Sequence, residues 1–191
     1  GALATNSKEL AQIIRTLRQH GMSKEAADRY HGNYKHWDMI ELGWKYNLND
    51  IHAALLIDQL DRLDQYWERR NSIWALYDKG LQDVPGIRIP ETRGKSGKHL
   101  YTIRVDPEKR DDFLHGLQDK AIGVAVNYRA IHTLTYFREA FGFKPLDFPA
   151  ANLIGKSTVS IPFYPKLKDI EIDYVMVSIR QIVTTASSSF L

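Results

Sequence analysis

Lys45 and Asn47 stand two residues apart in GWKYNLND, 43–50, just ahead of a helical pattern. They set an ammonium and a carboxamide side by side. Asn47 or Asn49 has the side chain to cap that helix, and Asp50 stands in its first turn, where a negative charge suits the positive helix end. A cation and an amide donor beside unpaired N–H groups make an elbow suited to an anion such as a phosphate. The plain alternative is a capped helix with a solvated lysine. A second group stands in NYRAIH, 127–132. Arg129 has the planar fork that grips a diphosphate bidentately. His132 is either a proton-exchanging imidazole or a structural or dimer-contact one. No metal is expected, because His20, His31 and His36 fit no common zinc spacing and the chain has no cysteine.

The elements that must position these groups can be read from periodicity. Residues 1–6 read as a strand ending in a turn. Ser7–His20 reads as a helix with Leu10, Ile13, Ile14 and Leu17 as its apolar stripe and Ser7 or Asn6 as its cap. Met22–Glu41 has little periodicity and reads as a loop. From Asn49 to about Leu81 the pattern is helical throughout, with Leu56, Leu60, Leu63 and Trp67, then Ile73, Trp74, Tyr77 and Leu81, on one buried side. A kink is expected near Arg69–Asn71, and Arg69 and Arg70 read as surface salt-bridging residues.

Beyond residue 84 the elements shorten. Strands are expected from Ile87, at Leu100–Val105, at Ile122–Val126 and at Thr158–Pro162. Helices are expected from Asp106 or Pro107 through Asp119, at Tyr136–Phe141, at Ala150–Lys156 and at Ile170–Val183. Phe113, Leu114 and Leu117 face inward in the first of these. Ile172, Val175, Met176, Ile179 and Ile182 do so in the last. Strand, helix, strand implies a small α+β layer structure. Thr184–Leu191 reads as a frayed tail.

Composition narrows the function classes. The 191 residues are 43% hydrophobic and 11% aromatic, enough for a packed core. The absence of cysteine excludes disulfides and thiolate metal sites. No apolar run approaches a membrane span and no signal peptide opens the sequence, so a cytoplasmic protein with no membrane partner is expected. The net charge of +3 is mild, and its charges are interspersed, as in Asp58–Arg70. With no helix-turn-helix, zinc or RNP pattern, nucleic-acid binding is not expected.

The stretch GWKYNLNDIHAALLIDQLDRLDQYWERR resembles the segment following the active-site lysine in DegT/StrS-type sugar-nucleotide aminotransferases, which depend on pyridoxal phosphate (PLP). Their commoner pattern is G-x-N-x-R-[ML]-[ST]-[DE]-[IL]-x-A-A. Here Lys45 and Asn47 fill the third and fifth places, a variant similar to the UDP-4-amino-4-deoxy-L-arabinose aminotransferases of the family. GALATNSKELAQIIRTLRQHGMS resembles the family's strand and helix just past the lysine loop. Arg69, Arg70 and Tyr77 match R-R-x-x-A-x-x-Y, and TVSIP with Phe163–Pro165 is similar to L-S-L-P-[LM]-[FYH]-P.

The resemblance implies an α/β parent of the aspartate aminotransferase fold, type I among PLP enzymes, of which this chain is the C-terminal half. Residues 1–68 would end the large PLP-binding domain, residues 69–184 would form the small α+β domain, and residues 185–191 the tail. The catalytic lysine would lie upstream of Gly1, and the chain alone would be inactive. Lys45 and Asn47 would reach the PLP phosphate of the partner subunit in a homodimer, with the contacting one of the two left open. Tyr128, Arg129 and His132 would lie at the substrate entrance. The implied activity is amino transfer from glutamate to a keto-sugar nucleotide, in surface polysaccharide, lipopolysaccharide or antibiotic sugar biosynthesis. A PLP-dependent sugar dehydratase of the same fold and a non-catalytic module that dimerises or binds a nucleotide sugar are the alternatives.

Overall fold

A computed structural model describes residues 2–23, 36–91 and 94–188, so His31 and most of the 22–41 loop lie outside the described residues. The chain divides into two compact units, Gly1–Leu60 and Asp61–Leu191. The division falls ahead of the boundary expected after residue 68.

In the first unit, residues 2–6 are not a strand. A strand needs a neighbour to take its N–H and C=O groups, and no described segment pairs with these. Helix α1 spans Lys8–Leu17, and the Ser7 hydroxyl caps it by accepting the Leu10 N–H at 3.1 Å. The expected apolar stripe is only partly covered, with Leu10 and Ile13 exposed and Ile14 and Leu17 half-buried, and α1 fully buries no residue. The chain leaves α1 through His20 and Gly21, both at positive φ, and returns across its end. Trp44 N–H donates to Leu17 O at 2.7 Å and Tyr46 N–H to Arg18 O at 2.8 Å, while His20 N–H donates to Trp44 O at 2.9 Å. The returning strand thus satisfies carbonyls that a helix end leaves open. The crossing is close. A Cβ on Gly43 would lie 2.1 Å from Gly21 N, so no side chain fits there.

The single long helix from Asn49 to Leu81 is not what forms. Helix α2 is one short turn, Asp50–Ala54, a 3₁₀ turn follows at Ile57–Gln59, and α3 begins only at Leu63. Leu55, Leu56, Ile57, Leu60 and Leu63 are each more than half exposed, against the expectation of a buried stripe. Helices gain most of their stability from packing an apolar face. Here that face packs on nothing among the described residues.

The second unit holds the core. Helix α3, Leu63–Leu81, runs unbroken through Arg69–Asn71 and buries Ile73, Tyr77 and Leu81. Strand β1, Tyr101–Arg104, pairs antiparallel with β2, Thr158–Ile161, in the register Tyr101 to Ile161 through Arg104 to Thr158. Two expected strands shrink to single bridges that flank this pair, Arg88 with Arg104 and Ala125 with Ser160. Between the strands, α4 is Arg110–Gln118, α5 Thr135–Phe141 and α6 Pro149–Ser157. The last helix, α7, runs from Asp169 to Ser188, so the backbone expected to fray from Thr184 is helical for another turn.

Among the described residues every buried hydrophobic residue of the core lies between Ile73 and Ile179, in this unit. Tyr101 sits at its centre. Its ring meets Trp74 at 4.7 Å and Tyr77 at 4.9 Å between centroids. Both phenols are satisfied. Tyr77 donates to Pro162 O at 2.8 Å and Tyr101 to Asp78 Oδ1 at 2.7 Å. Burial pushes the pKa of each phenol well above the ordinary tyrosine range, and for Tyr101 the Asp78 carboxylate adds to the shift. Arg69 forms the expected surface ion pair, with the Asp169 carboxylate, and also binds the Leu167 carbonyl. Among the described residues no helix is long and apolar enough to cross a membrane.

Candidate cofactor and substrate contacts

Lys45 is positioned by the crossing at the end of α1. Trp44 and Tyr46 both donate their N–H groups to the α1 terminus, and their rings lie near parallel, 6.2 Å apart at 6°. Lys45, between them, pairs as an antiparallel bridge with Gln19. Alternation along an extended segment sends its side chain to the side opposite Trp44 and Tyr46. Asn47 stands at the next odd position. Both side chains are exposed, and among the described residues neither has a hydrogen-bond or ionic partner.

The α2 cap goes to Asn49, not Asn47. The Asn49 Oδ1 accepts the His52 N–H at 2.9 Å, which leaves the Asn47 amide uncommitted. With α2 only five residues long, its dipole contributes little, so the anion-binding capacity of this elbow rests on the two side chains. An ammonium and a carboxamide are donors of the kind that hold a phosphate, so the donor set fits one.

The second group sits in the other unit, on the loop from Ala125 to Leu134. Tyr128 and Arg129 are exposed, Tyr128 by 68%. His132 is buried at 6% exposure. Its Nε2 lies 3.2 Å from Pro145 O, and a carbonyl only accepts, so Nε2 carries the proton and donates it. The ring packs against Phe148 at 5.0 Å. Of the two readings of His132, the structure supplies contacts for the structural one. The histidine fastens the loop from below while Tyr128 and Arg129 present a phenol and a guanidinium outward. Thr133 Oγ1 tightens the same turn by donating to Ala130 O at 2.7 Å.

One residue that fixes this loop is not among those singled out by residue type. Gly155, buried in α6, lies so close to the loop that a Cβ there would approach Ala130 N to 2.5 Å. The signal was present, since a glycine inside a helical pattern costs stability and therefore has a packing reason. Among the described residues no group of three or more His, Asp or Glu side chains is placed to hold a metal ion.

Comparison with known proteins gives a consistent answer. The family model described as the DegT/DnrJ/EryC1/StrS aminotransferase family matches residues 1–180. The spore coat polysaccharide biosynthesis protein SpsC of Bacillus subtilis is 38% identical over 97% of this chain and 50% of its own length. The putative sugar aminotransferase Spr1654 of Streptococcus pneumoniae, in its PMP-form, superposes with a TM-score of 0.84 at 26% identity, over 97% of this chain and 47% of that one. DesV of S. venezuelae superposes with a TM-score of 0.82 at 25% identity, over 94% and 46%. The chain thus spans about half the length of the curated relatives it matches. Its architecture is the C-terminal part of an aspartate aminotransferase-like fold. Spr1654 has also been solved in a PLP-form, and these matches indicate pyridoxal phosphate as the cofactor. With its residues matched from the first unit through most of α7, this chain belongs to the DegT/DnrJ/EryC1/StrS aminotransferase family.

Proposed function

We propose that this chain is the C-terminal half of an enzyme that transfers an amino group from glutamate to a keto-sugar nucleotide. The observation that carries the reading is the uncommitted pair Lys45 and Asn47, exposed on a segment pinned to the end of α1. When bound, pyridoxal phosphate supplies the electron sink for moving the amino group. Lys45 and Asn47 hold its phosphate across the twofold axis of a homodimer, and the apolar surface of the 37–60 segment is what the assembled enzyme covers. Trp37, Leu42, Trp44, Tyr46 and Leu60 are all more than half exposed here, as expected of a surface completed by another chain. Tyr128 and Arg129 meet the substrate, Arg129 by forking onto its diphosphate, and His132 holds their loop in place. A biosynthetic route to surface sugars and a cytoplasmic setting belong to the same reading.

The test needs the catalytic lysine, so it is made on the parent enzyme. Replacing Lys45 or Asn47 by Ala removes a charge-assisted contact of about 1.5–3 kcal/mol, which weakens PLP binding by roughly tenfold or more. Visible absorbance of the bound cofactor during dialysis reads this directly. Arg129→Ala should raise KM for the sugar nucleotide and leave the glutamate half-reaction unchanged. If the double variant at Lys45 and Asn47 holds PLP as tightly as the parent, the elbow is not a phosphate contact and the assignment fails.

A further inference from the structure

Arg88 and Arg104 face each other across an antiparallel bridge, each N–H donating to the other's carbonyl at 2.8 Å. Opposed residues project to the same side of a sheet. In β1 the core side is taken by Tyr101 and Ile103, so both guanidinium groups lie on the opposite side. There they meet Leu153 and Ser157 of α6 around a cavity of about 430 Å³. Like charges directly opposed across a bridge repel, and among the described residues neither arginine has an ion-pair or hydrogen-bond partner for its side chain. The Nε of Arg104 is fully enclosed and makes no hydrogen bond. An enclosed cationic N–H without an acceptor is expensive to leave so. Asp106 brings one carboxylate to the wall, and its Oδ1 already accepts the Glu108 N–H at 3.0 Å. Two guanidinium groups against one carboxylate leave the notch positive. The Ser157 hydroxyl is turned to the Ile154 carbonyl and does not compete.

We propose that this notch is an oxyanion site that takes a phosphoryl group, with the guanidinium groups of Arg88 and Arg104 that line it donating to its oxygens. The site belongs to the second unit alone and is independent of the cofactor elbow at Lys45. Its volume exceeds that of a bare phosphate and falls in the range of small-molecule pockets. The phosphoryl group is therefore either free or the end of a small phosphorylated metabolite.

The experiment is calorimetric titration of the 191-residue chain with inorganic phosphate and, separately, with uridine monophosphate. Arginine Nε–H resonances are followed by NMR in parallel. Binding in the millimolar range or tighter is expected, with the Arg104 Nε–H resonance moving on saturation. Arg88→Gln changes an exposed side chain and should keep the native circular dichroism while weakening binding by about fivefold or more. Leu153→Glu sets a carboxylate on the facing wall and should abolish binding without touching either arginine. Equal affinity for the two probes assigns the site to free phosphate, and tighter binding of the nucleotide assigns it to a phosphorylated metabolite. No heat and no Arg104 shift up to about 20 mM phosphate, or affinity unchanged in Arg88→Gln, overturns the proposal.

Discussion

The two units of this chain solve the burial problem differently. The second closes a core on itself, with Tyr77, Tyr101, Ile103, Leu117 and Ile179 wholly removed from solvent. The first has comparable apolar content, yet α1 and α2 bury nothing, and what holds its visible shape is backbone hydrogen bonding at the α1 crossing. Hydrophobic patterning therefore has two meanings in one sequence. In α3, α4 and α7 the stripe marks what is packed. In residues 51–60 it marks what is still open.

The widest separation between the units should appear on truncating an apolar side chain in each. Tyr101→Ala removes a fully buried ring from between Trp74 and Tyr77 and orphans the Asp78 contact. Large aromatic-to-alanine changes in cores cost about 3–5 kcal/mol. Leu60→Ala, at 78% exposure, should change stability by no more than about 0.5 kcal/mol, as surface changes do. Urea unfolding of the two variants, read by near-ultraviolet circular dichroism, checks both. A comparable loss for Leu60→Ala would mean that the first unit has a hidden core.

A smaller effect tests whether the second unit's packing extends to the loop that carries Tyr128 and Arg129. Gly155→Ala drives a Cβ toward the Ala130 backbone. Alanine favours the helix by up to about 1 kcal/mol over glycine, but overpacking costs about 1–3 kcal/mol. A net loss is expected. It should be accompanied by displaced NMR resonances across residues 127–134, because backbone atoms cannot step aside as a flexible side chain does. Gly142→Ala also replaces a helix-end glycine and meets no neighbour within contact distance. Its positive φ of 69° makes it destabilising without moving the loop.

That contrast also explains what could be read from the sequence alone. The patterns of α4 and α7 carried their own answer, since Phe113, Leu117, Ile172, Val175 and Ile179 all turn inward as spaced. Strands β1 and β2 were legible because each sits beside a partner within the same unit. Three expectations failed for one reason, that the sequence signal does not say whether a partner is present. Residues 2–6 have strand character and no described neighbour. Ile122–Val126 keeps one bridge, at Ala125. Residues 55–62 have helical spacing and nothing to pack on among the described residues, and the helix gives way to 3₁₀ geometry and turns. Lys45, Asn47 and Arg129 stand out in the sequence by residue type alone. The Gly43 and Gly155 approaches, which position them, depend on backbones far apart in sequence.

A pH titration sharpens the comparison further, because among the described residues the buried phenols belong to the second unit. Tyr77 and Tyr101 have pKa values raised by burial. In the unfolded chain tyrosine ionises near 10, while in the folded chain these two stay protonated well beyond that. The folded state then binds more protons, so stability is fully present below pH 10 and falls as the pH rises above it. Tyr77→Phe should lower stability by about 1 kcal/mol at neutral pH, through loss of the bond to Pro162 O. It should also flatten the alkaline decline, which spectrophotometric titration alongside urea unfolding resolves. An alkaline decline as steep in Tyr77→Phe as in the parent chain would assign it to other groups.

The smallest effect is expected at Asp83, and it separates surface electrostatics from packing within the same unit. Its carboxylate meets the Arg180 guanidinium at 2.5 Å, and that hydrogen bond holds its pKa below the usual carboxylate value. A depressed pKa means that the folded chain holds its proton less tightly than the unfolded one. The contribution is therefore present above the ordinary carboxylate pKa and is lost as the pH falls through the depressed value. Both partners are substantially exposed, the carboxylate side chain by 65%, and water and salt screen such pairs. Arg180 also donates to Gly80 O at 2.7 Å, so the helix contact outlives the carboxylate. Asp83→Asn should thus leave the urea midpoint at neutral pH nearly unchanged and remove only a slight, salt-sensitive part of the acid-side decline. A large loss at neutral pH would mean that this exposed pair, rather than the aromatic cluster around Tyr101, fastens α3 to α7.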